Sequence, residues 1–365
     1  MRDQIELGVL AIVCGVVAGI ALFVPFVAIS YRRRGGLTFW RVVGWAAFLV
    51  YFFAIWTYTL LPLPDPDTIR CAGVELDPRG VIRDVQAGLR RPGNPLTSPE
   101  VLQLALNIVL FLPLGFFVRA LLGRGFVVTV LIGLGVSAFI ETTQITGVWG
   151  IYPCAYRVFD VGDLLTNTTG AMIGALLSLV VPRRHRGLAR TDDADEPDPV
   201  SKRRRILVMF CDYLGAVLVQ AAVALLVQLV LILAGRTDLS QDGTVASAAG
   251  GIVTAGLWLA VTLAKGRTIG DLAVELRYVG GPLPVPLARL LRYLGGIGGI
   301  VLAGMLPAPF NLLSAALAVA GVVMLFTTDR GRGLPGVLSG QRLVDAREDV
   351  VTPTAPVERE SRSSG

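Results

Sequence analysis

FDVGDLLTNTTGAMIGALLSLVV, residues 159–181, opens on two carboxylates and an amide and closes in a largely apolar run. From Asp163 onward the stretch is long enough for a helix that crosses a bilayer. Asp160, Asp163 and Asn167 stand at its mouth, where they can be a helix cap, a polar packing seam or the edge of a site. The surrounding sequence decides which.

The chain has 365 residues, 53% of them hydrophobic and 16% charged, with a mean hydropathy of +0.66, an apolar excess that a soluble domain does not need. Lipid leaves no water for open backbone groups, so helices are the expected spanning elements. Apolar windows fall at roughly 7–29, 41–61, 101–121, 125–146, 163–181, 206–233, 246–264, 290–306 and 311–327. The expectation is an all-α polytopic membrane helical bundle of about nine transmembrane helices in two modules. The window 290–306 is the weakest, being short, glycine-rich and followed by Pro307 and Pro309. With 311–327 it is also compatible with a re-entrant hairpin.

Lys and Arg set the expected orientation. With the N-terminus outside, the connections holding Arg32–Arg34, Arg119 and Arg124, and Arg183 to Arg205 all fall inside, as do residues 265–292 and the C-terminal tail. The predicted location is therefore the cell membrane, multi-pass, with the C-terminus cytoplasmic. The basic surplus reads as topology and not as a nucleic-acid surface, which would need a basic domain with stacking aromatics. The first apolar run lacks a basic n-region, because Arg2 is followed by Asp3 and Glu6, so it reads as a retained helix and not a signal peptide.

A basic and acidic stretch, 182–205, divides a five-helix module (1–181) from a second module (206–345) and reads as a charged cytoplasmic linker. The tail 346–365 reads as disordered. The proline-rich connection 62–100 faces outward and leaves room for one short helix around residues 80–89. Four cysteines show no C-x-x-C spacing, and no metal or cofactor is expected. Cys14 and Cys211 read as packing residues within helices. Cys71 and Cys154 both fall in outward connections, where a disulfide is permitted.

Asn107 precedes a Phe-Leu-Pro-Leu-Gly segment near the outer end of the third helix. Glu141 and Gln144 share a face near the outer end of the fourth. Arg157 and Asp160 follow in the next connection, then Asp163 and Asn167 at adjacent turns of the fifth helix. All seven lie at one expected membrane depth. Three acids against one arginine leave an excess of negative charge, relieved by protonation, by water or by a bound cation. One reading makes Glu141 or Asp163 a general acid or base and Arg157 an anion clamp. The other makes the acids helix caps, Asn167 a cross-bundle hydrogen bond and Arg157 a salt bridge to the loop. The lone histidine, His185, lies in the basic linker, so no histidine-activated nucleophile is available at this cluster. Gly170 and Gly174 form a G-x-x-x-G pair that permits close packing of the fifth helix.

The segment Asn107 to Phe116, the pair Glu141 and Gln144, Arg157-Val-Phe-Asp160, and Asp163 to Gly170 together resemble the VanZ-like family over about residues 40–181. That resemblance implies a small polytopic protein of the bacterial envelope, some members being associated with resistance to glycopeptides such as teicoplanin. It marks Asn107, Glu141, Gln144, Arg157, Asp160, Asp163 and Asn167 as the polar positions of the family. The second module resembles an RDD family domain through Arg205 and Asp212, Lys265-Gly-Arg267-Thr-Ile-Gly-Asp271, Arg277, and Arg289 or Arg292. It departs at Pro335-Gly336, where a His-Asp pair is often found. Some RDD-like members are linked to ion or solute transport. Asp212 is expected to pair with an arginine rather than stand alone in lipid.

Three functions follow. The first is an envelope membrane protein whose outer polar pocket engages a cell-wall precursor, a lipid headgroup or a glycopeptide. The second is a small transporter built on the second module, and the third an enzyme acting on an envelope lipid. Membrane lipids are the expected partners throughout.

Overall fold

The computed structural model describes residues 2–61, 63–65, 69–91, 94 and 98–348. The tail expected to be disordered lies outside the described residues from 349 onward, as do Pro62, Pro66, Pro92 and Pro95 of the proline-rich connection. The chain divides into two compact units, one of residues 1–22 and 37–191, the other of 23–36 and 192–365.

Among the described residues, seven helices are long and apolar enough to cross a membrane, or up to eight if one bent pair counts as a span. The expected nine is therefore corrected. Segment 290–306 is two helices, α12 (Val285–Leu294) and α13 (Ile297–Gly304), bent by 53° across Gly295 and Gly296. Segment 311–327 is α14 (Leu312–Thr327), which has 16 residues. At 1.5 Å per residue it is roughly 24 Å long, short of the ~30 Å hydrocarbon core.

In the first unit, α1 (Arg2–Arg34) supplies its first turns and packs on α2 (Phe39–Leu60). A Cβ on Gly15 would lie 2.6 Å from the Val50 Cα, so the contact depends on glycine. Strand β1 (Val74–Glu75) and amphipathic α3 (Gly80–Arg90) follow. Then come α4 (Pro99–Ala120), begun by a Ser98 cap with proline in the first turn, and α5 (Phe126–Ile145). The turn α6 (Gly147–Gly150) runs at positive φ through Val148 (54°) and Trp149 (58°) and reverses the chain. Strand β2 (Phe159–Asp160) leads into α7 (Val161–Leu177).

The packing of α4 against α7 is the frame of this unit. Added Cβ atoms on Gly170 and Gly174 would overlap the backbone of Ile108 and Leu112, and one on Gly115 would overlap Ala171. Small residues on both helices bring the backbones together, where van der Waals contact replaces the hydrophobic effect missing in lipid. Ile55, Phe111, Leu114, Val118 and Ile140 make the apolar core beside that seam.

In the second unit, α8 (Lys202–Leu233), α9 (Thr237–Asp242) and α10 (Thr244–Lys265) precede α11 (Ile269–Ala273) and β3 (Leu276–Val279). After α12 to α14, α15 (Gly333–Ser339) leads to β4 (Arg342–Asp345), antiparallel to β3. The expected linker extends too far: Lys202 to Arg205 are the first turn of α8, and the Ser201 side chain accepts from the Arg204 N–H at 3.2 Å. Arg204 and Arg205 are buried rather than solvated, because each meets a buried carboxylate. Arg204 lies 2.6 Å from Asp345 and Arg205 lies 3.2 Å from Asp271.

Candidate functional site

The first unit ends at a group of orphan backbone carbonyls. The last turn of α2 has no further helix to satisfy its C=O groups. Gln144 Nε2 donates to the Thr59 carbonyl at 2.8 Å, and Arg157 Nη1 donates to the same oxygen at 3.2 Å. Tyr152 donates to the Pro64 carbonyl at 3.0 Å. Two residues singled out as site candidates, Gln144 and Arg157, are therefore also the C-terminal cap of α2.

The acids are placed by the start of α7. Asp160 is its N-cap, with Oδ1 accepting the Gly162 N–H at 2.7 Å. Glu141, buried near the end of α5, accepts the Asp160 N–H at 3.2 Å through Oε2. Asp163 Oδ1 accepts from Asn107 Nδ2 at 2.6 Å across the α4–α7 seam. One turn deeper, Asn167 Nδ2 donates to Ser137 Oγ at 2.9 Å, while its buried Oδ1 has no partner. The expected salt bridge from Arg157 is absent among the described residues. Its guanidinium is exposed and is held at the α2 carbonyl, so the charge excess is not neutralised there.

All seven residues line one cavity of about 330 Å³, together with Tyr58, Thr59 and Gln103. What remains free at its wall is mostly acceptor. Glu141 Oε1 and Asp163 Oδ2 have no protein donor among the described residues, and Asn167 Oδ1 joins them. No three acidic, histidine or cysteine side chains among the described residues are arranged to hold one metal ion. The unpartnered groups at the wall are thus mainly hydrogen-bond acceptors.

The proline-rich connection is tied over this end of the unit. Cys71 and Cys154 are disulfide-bonded, with Cα atoms 5.5 Å apart. Beyond them β1 pairs with β2 in parallel, Val74 opposite Phe159 and Glu75 opposite Asp160. The Val81 side chain packs at Gly162 in the first turn of α7. Thr59, Ser137 and Gln103 were not legible as part of the cluster. Thr59 acts through a backbone carbonyl, and Gln103 and Ser137 stand outside the four stretches that carry the family resemblance.

In the second unit the predicted cluster separates. Arg205, Asp212, Asp271 and Arg292 line one cavity of about 350 Å³. Asp212 does not pair with an arginine, contrary to expectation. It accepts from Trp258 Nε1 (2.9 Å), the Gly270 N–H (2.8 Å) and Thr268 Oγ1 (2.6 Å). Neutral donors suffice because they reach both carboxylate oxygens. Arg267 turns to the Leu276 carbonyl and Glu275, and Arg289 to the Leu263 carbonyl. Arg277 donates to the Glu348 carbonyl, and Lys265 is exposed at the end of α10. Sequence reasoning missed Arg204, Tyr278 and Asp345. Arg204 sits in a basic run that looks solvated, Asp345 reaches it from β4, and Tyr278 on β3 lies against Arg205 and Arg292.

No curated protein and no solved structure matches the chain. A protein-family model described as VanZ/LLP1 matches residues 48–182 and reaches none of α8 to α15, and no comparable match supports an RDD family domain in the second unit. Residues 48–182, which run from within α2 past the end of α7 and carry the acidic cavity, are thus similar to the VanZ/LLP1 family, within a multi-pass membrane protein.

Proposed function

We propose that the first unit is a cell-envelope binding module whose acidic cavity receives a hydrogen-bond-donating part of an envelope ligand. The ligand class is a cell-wall precursor, a lipid headgroup or a glycopeptide bearing amine or hydroxyl groups. The observation that carries this reading is the convergence of Asn107, Glu141, Asp163 and Asn167 on one cavity whose free valence is acceptor. Arg157, exposed at the same cavity, supplies a cation for an anionic part of the ligand. The Cys71–Cys154 disulfide tied over this end of the unit favours the outer, oxidising side for the cavity. The Lys and Arg distribution, with an outward N-terminus, favours the same side.

Binding needs only a cavity open at one membrane face, whereas transport needs a polar path across the bilayer. Below Asn167 the α4–α7 seam is closed by glycine-mediated backbone contact, which favours binding. The second unit keeps an RDD-like reading as a secondary proposal, supported by the buried Arg205–Asp271 pair and by Asp212 in α8.

The test compares wild type with Glu141→Gln and Arg157→Ala at matched membrane levels, reading teicoplanin susceptibility and the pool of lipid-linked precursors. A role in the envelope predicts a change in at least one readout for both variants. Unchanged values in both would remove the proposal, and a loss of protein alone would assign these residues to capping α2 and α7.

A further inference from the structure

We propose that the second unit holds a separate binding site for an anionic phospholipid, with the phosphate on Arg292 and Arg205 and the chain along α13 and α14. The argument starts from unspent hydrogen-bonding capacity. Arg205 and Arg292 are 6% and 4% exposed, and both line the cavity of about 350 Å³. The Nε of each is buried without a partner, and so is the Thr262 hydroxyl on the same wall. A buried guanidinium N–H left unmet is costly, more so than a neutral donor.

The acids beside them do not absorb this capacity. Asp271 is engaged by Arg205 Nη1 at 3.2 Å and by the Thr268 N–H at 3.2 Å. Asp212 is held by its three neutral donors. Arg292 makes one hydrogen bond, from Nη1 to the Gly266 carbonyl at 2.8 Å, and no ion pair among the described residues. The Tyr278 ring lies near both guanidinium groups, its centroid 5.7 Å from Arg205 Cζ and 4.9 Å from Arg292 Cζ. Asp212 and Asp271 balance the two arginines in formal charge, so what the polar end of the cavity offers a phosphate is guanidinium N–H groups without an acceptor, those of Arg292 being in no ion pair among the described residues.

The remaining wall is apolar and comes from Met209, Ile300, Leu317, Val322 and Leu325. A donor-lined end joined to an apolar wall matches an amphiphile better than a free ion. The cavity volume is at the small end of the ~300–1,000 Å³ usual for ligand sites, enough for a headgroup and the start of a chain. Gly321 lines this wall, and a Cβ there would meet only Met209 Cε, at 3.6 Å. A larger side chain at that position therefore starts into open space on the apolar wall.

The experiment uses the full chain in nanodiscs of phosphatidylcholine alone or with phosphatidylglycerol, and inorganic phosphate as a headgroup-only probe. Wild type is expected to melt higher with phosphatidylglycerol and to retain it through detergent exchange, read by native mass spectrometry. Arg292→Gln is expected to retain it about tenfold more weakly, with Arg292→Lys in between. Gly321→Phe is expected to weaken retention with the polar end intact, which keeps the test decisive if Arg292→Gln fails to fold. Equal stabilisation by the two lipids, or retention unchanged in Gly321→Phe, would overturn the proposal. So would inorganic phosphate reproducing the whole effect, because the apolar wall would then have no part.

Discussion

The Thr59 carbonyl, the Asn167 amide and the Asp345 carboxylate show how single groups are satisfied where water is scarce. Asn167 spends its amide nitrogen on Ser137 and leaves its oxygen toward the cavity. A double-mutant cycle of Asn167→Ala and Ser137→Ala, followed by unfolding in mixed micelles, is expected to give a coupling of about 0.6–1.7 kcal/mol. Zero coupling would show that the contact contributes nothing to stability. Asp345 is a different case. Burial pushes its carboxyl up, but hydrogen bonds from Arg347 and Arg204 and from the backbone N–H groups of Arg347 and Asp198 hold it well below the usual carboxylate range. Because its folded value lies below its unfolded one, its contribution is complete above pH ~4 and fades as the pH falls toward the folded value. Asp345→Asn should flatten the acid limb of the stability curve. At pH 7 it should also destabilise the second unit by about 3–5 kcal/mol, since Arg204 is left buried without its carboxylate.

At the scale of elements, the G-x-x-x-G pair of α7 was readable in the sequence, and so was its consequence, a close helix contact. The partner was not readable, because the motif says only that some backbone approaches. The structure supplies α4, with Ile108 and Leu112 at the two glycines. Gly174→Leu is therefore expected to destabilise the first unit by about 1–3 kcal/mol or to abolish its accumulation. Gly135→Leu, on α5 where an added Cβ meets nothing within 4 Å, is the matched control and should be near neutral. A Gly174→Leu protein as stable as this control would rule out the α4–α7 seam. The bend between α12 and α13 belongs to this scale as well. Glycine content marked the segment as weak, but only the packing of Gly295 beside Pro335 and Leu338 shows what the break accommodates.

For the molecule as a whole, the disulfide joins residues 83 apart and links the connection after α2 to the one after α5. If that end faces outward, a membrane-impermeant thiol reagent on intact cells should label the protein only after impermeant reductant is added. Cys71→Ser with Cys154→Ser should abolish that labelling, because Cys14 and Cys211 lie within α1 and α8. Labelling that requires cell lysis would place the acidic cavity on the cytoplasmic side and reverse the proposed topology.

Composition and hydropathy alone determined that this is a polytopic helical membrane protein, because the bilayer imposes a minimum apolar length that any sequence must display openly. The polar positions near the ends of α4, α5 and α7 were visible for the same reason, since polar atoms in an apolar run are conspicuous. Only the tertiary structure decided their partners. Gln144 and Arg157 go to a backbone carbonyl, Asp212 goes to neutral donors, and Arg204 leaves an apparent linker for Asp345. Those choices depend on which helix ends and strands meet, and the periodicity of one segment carries no record of the orphan groups on another.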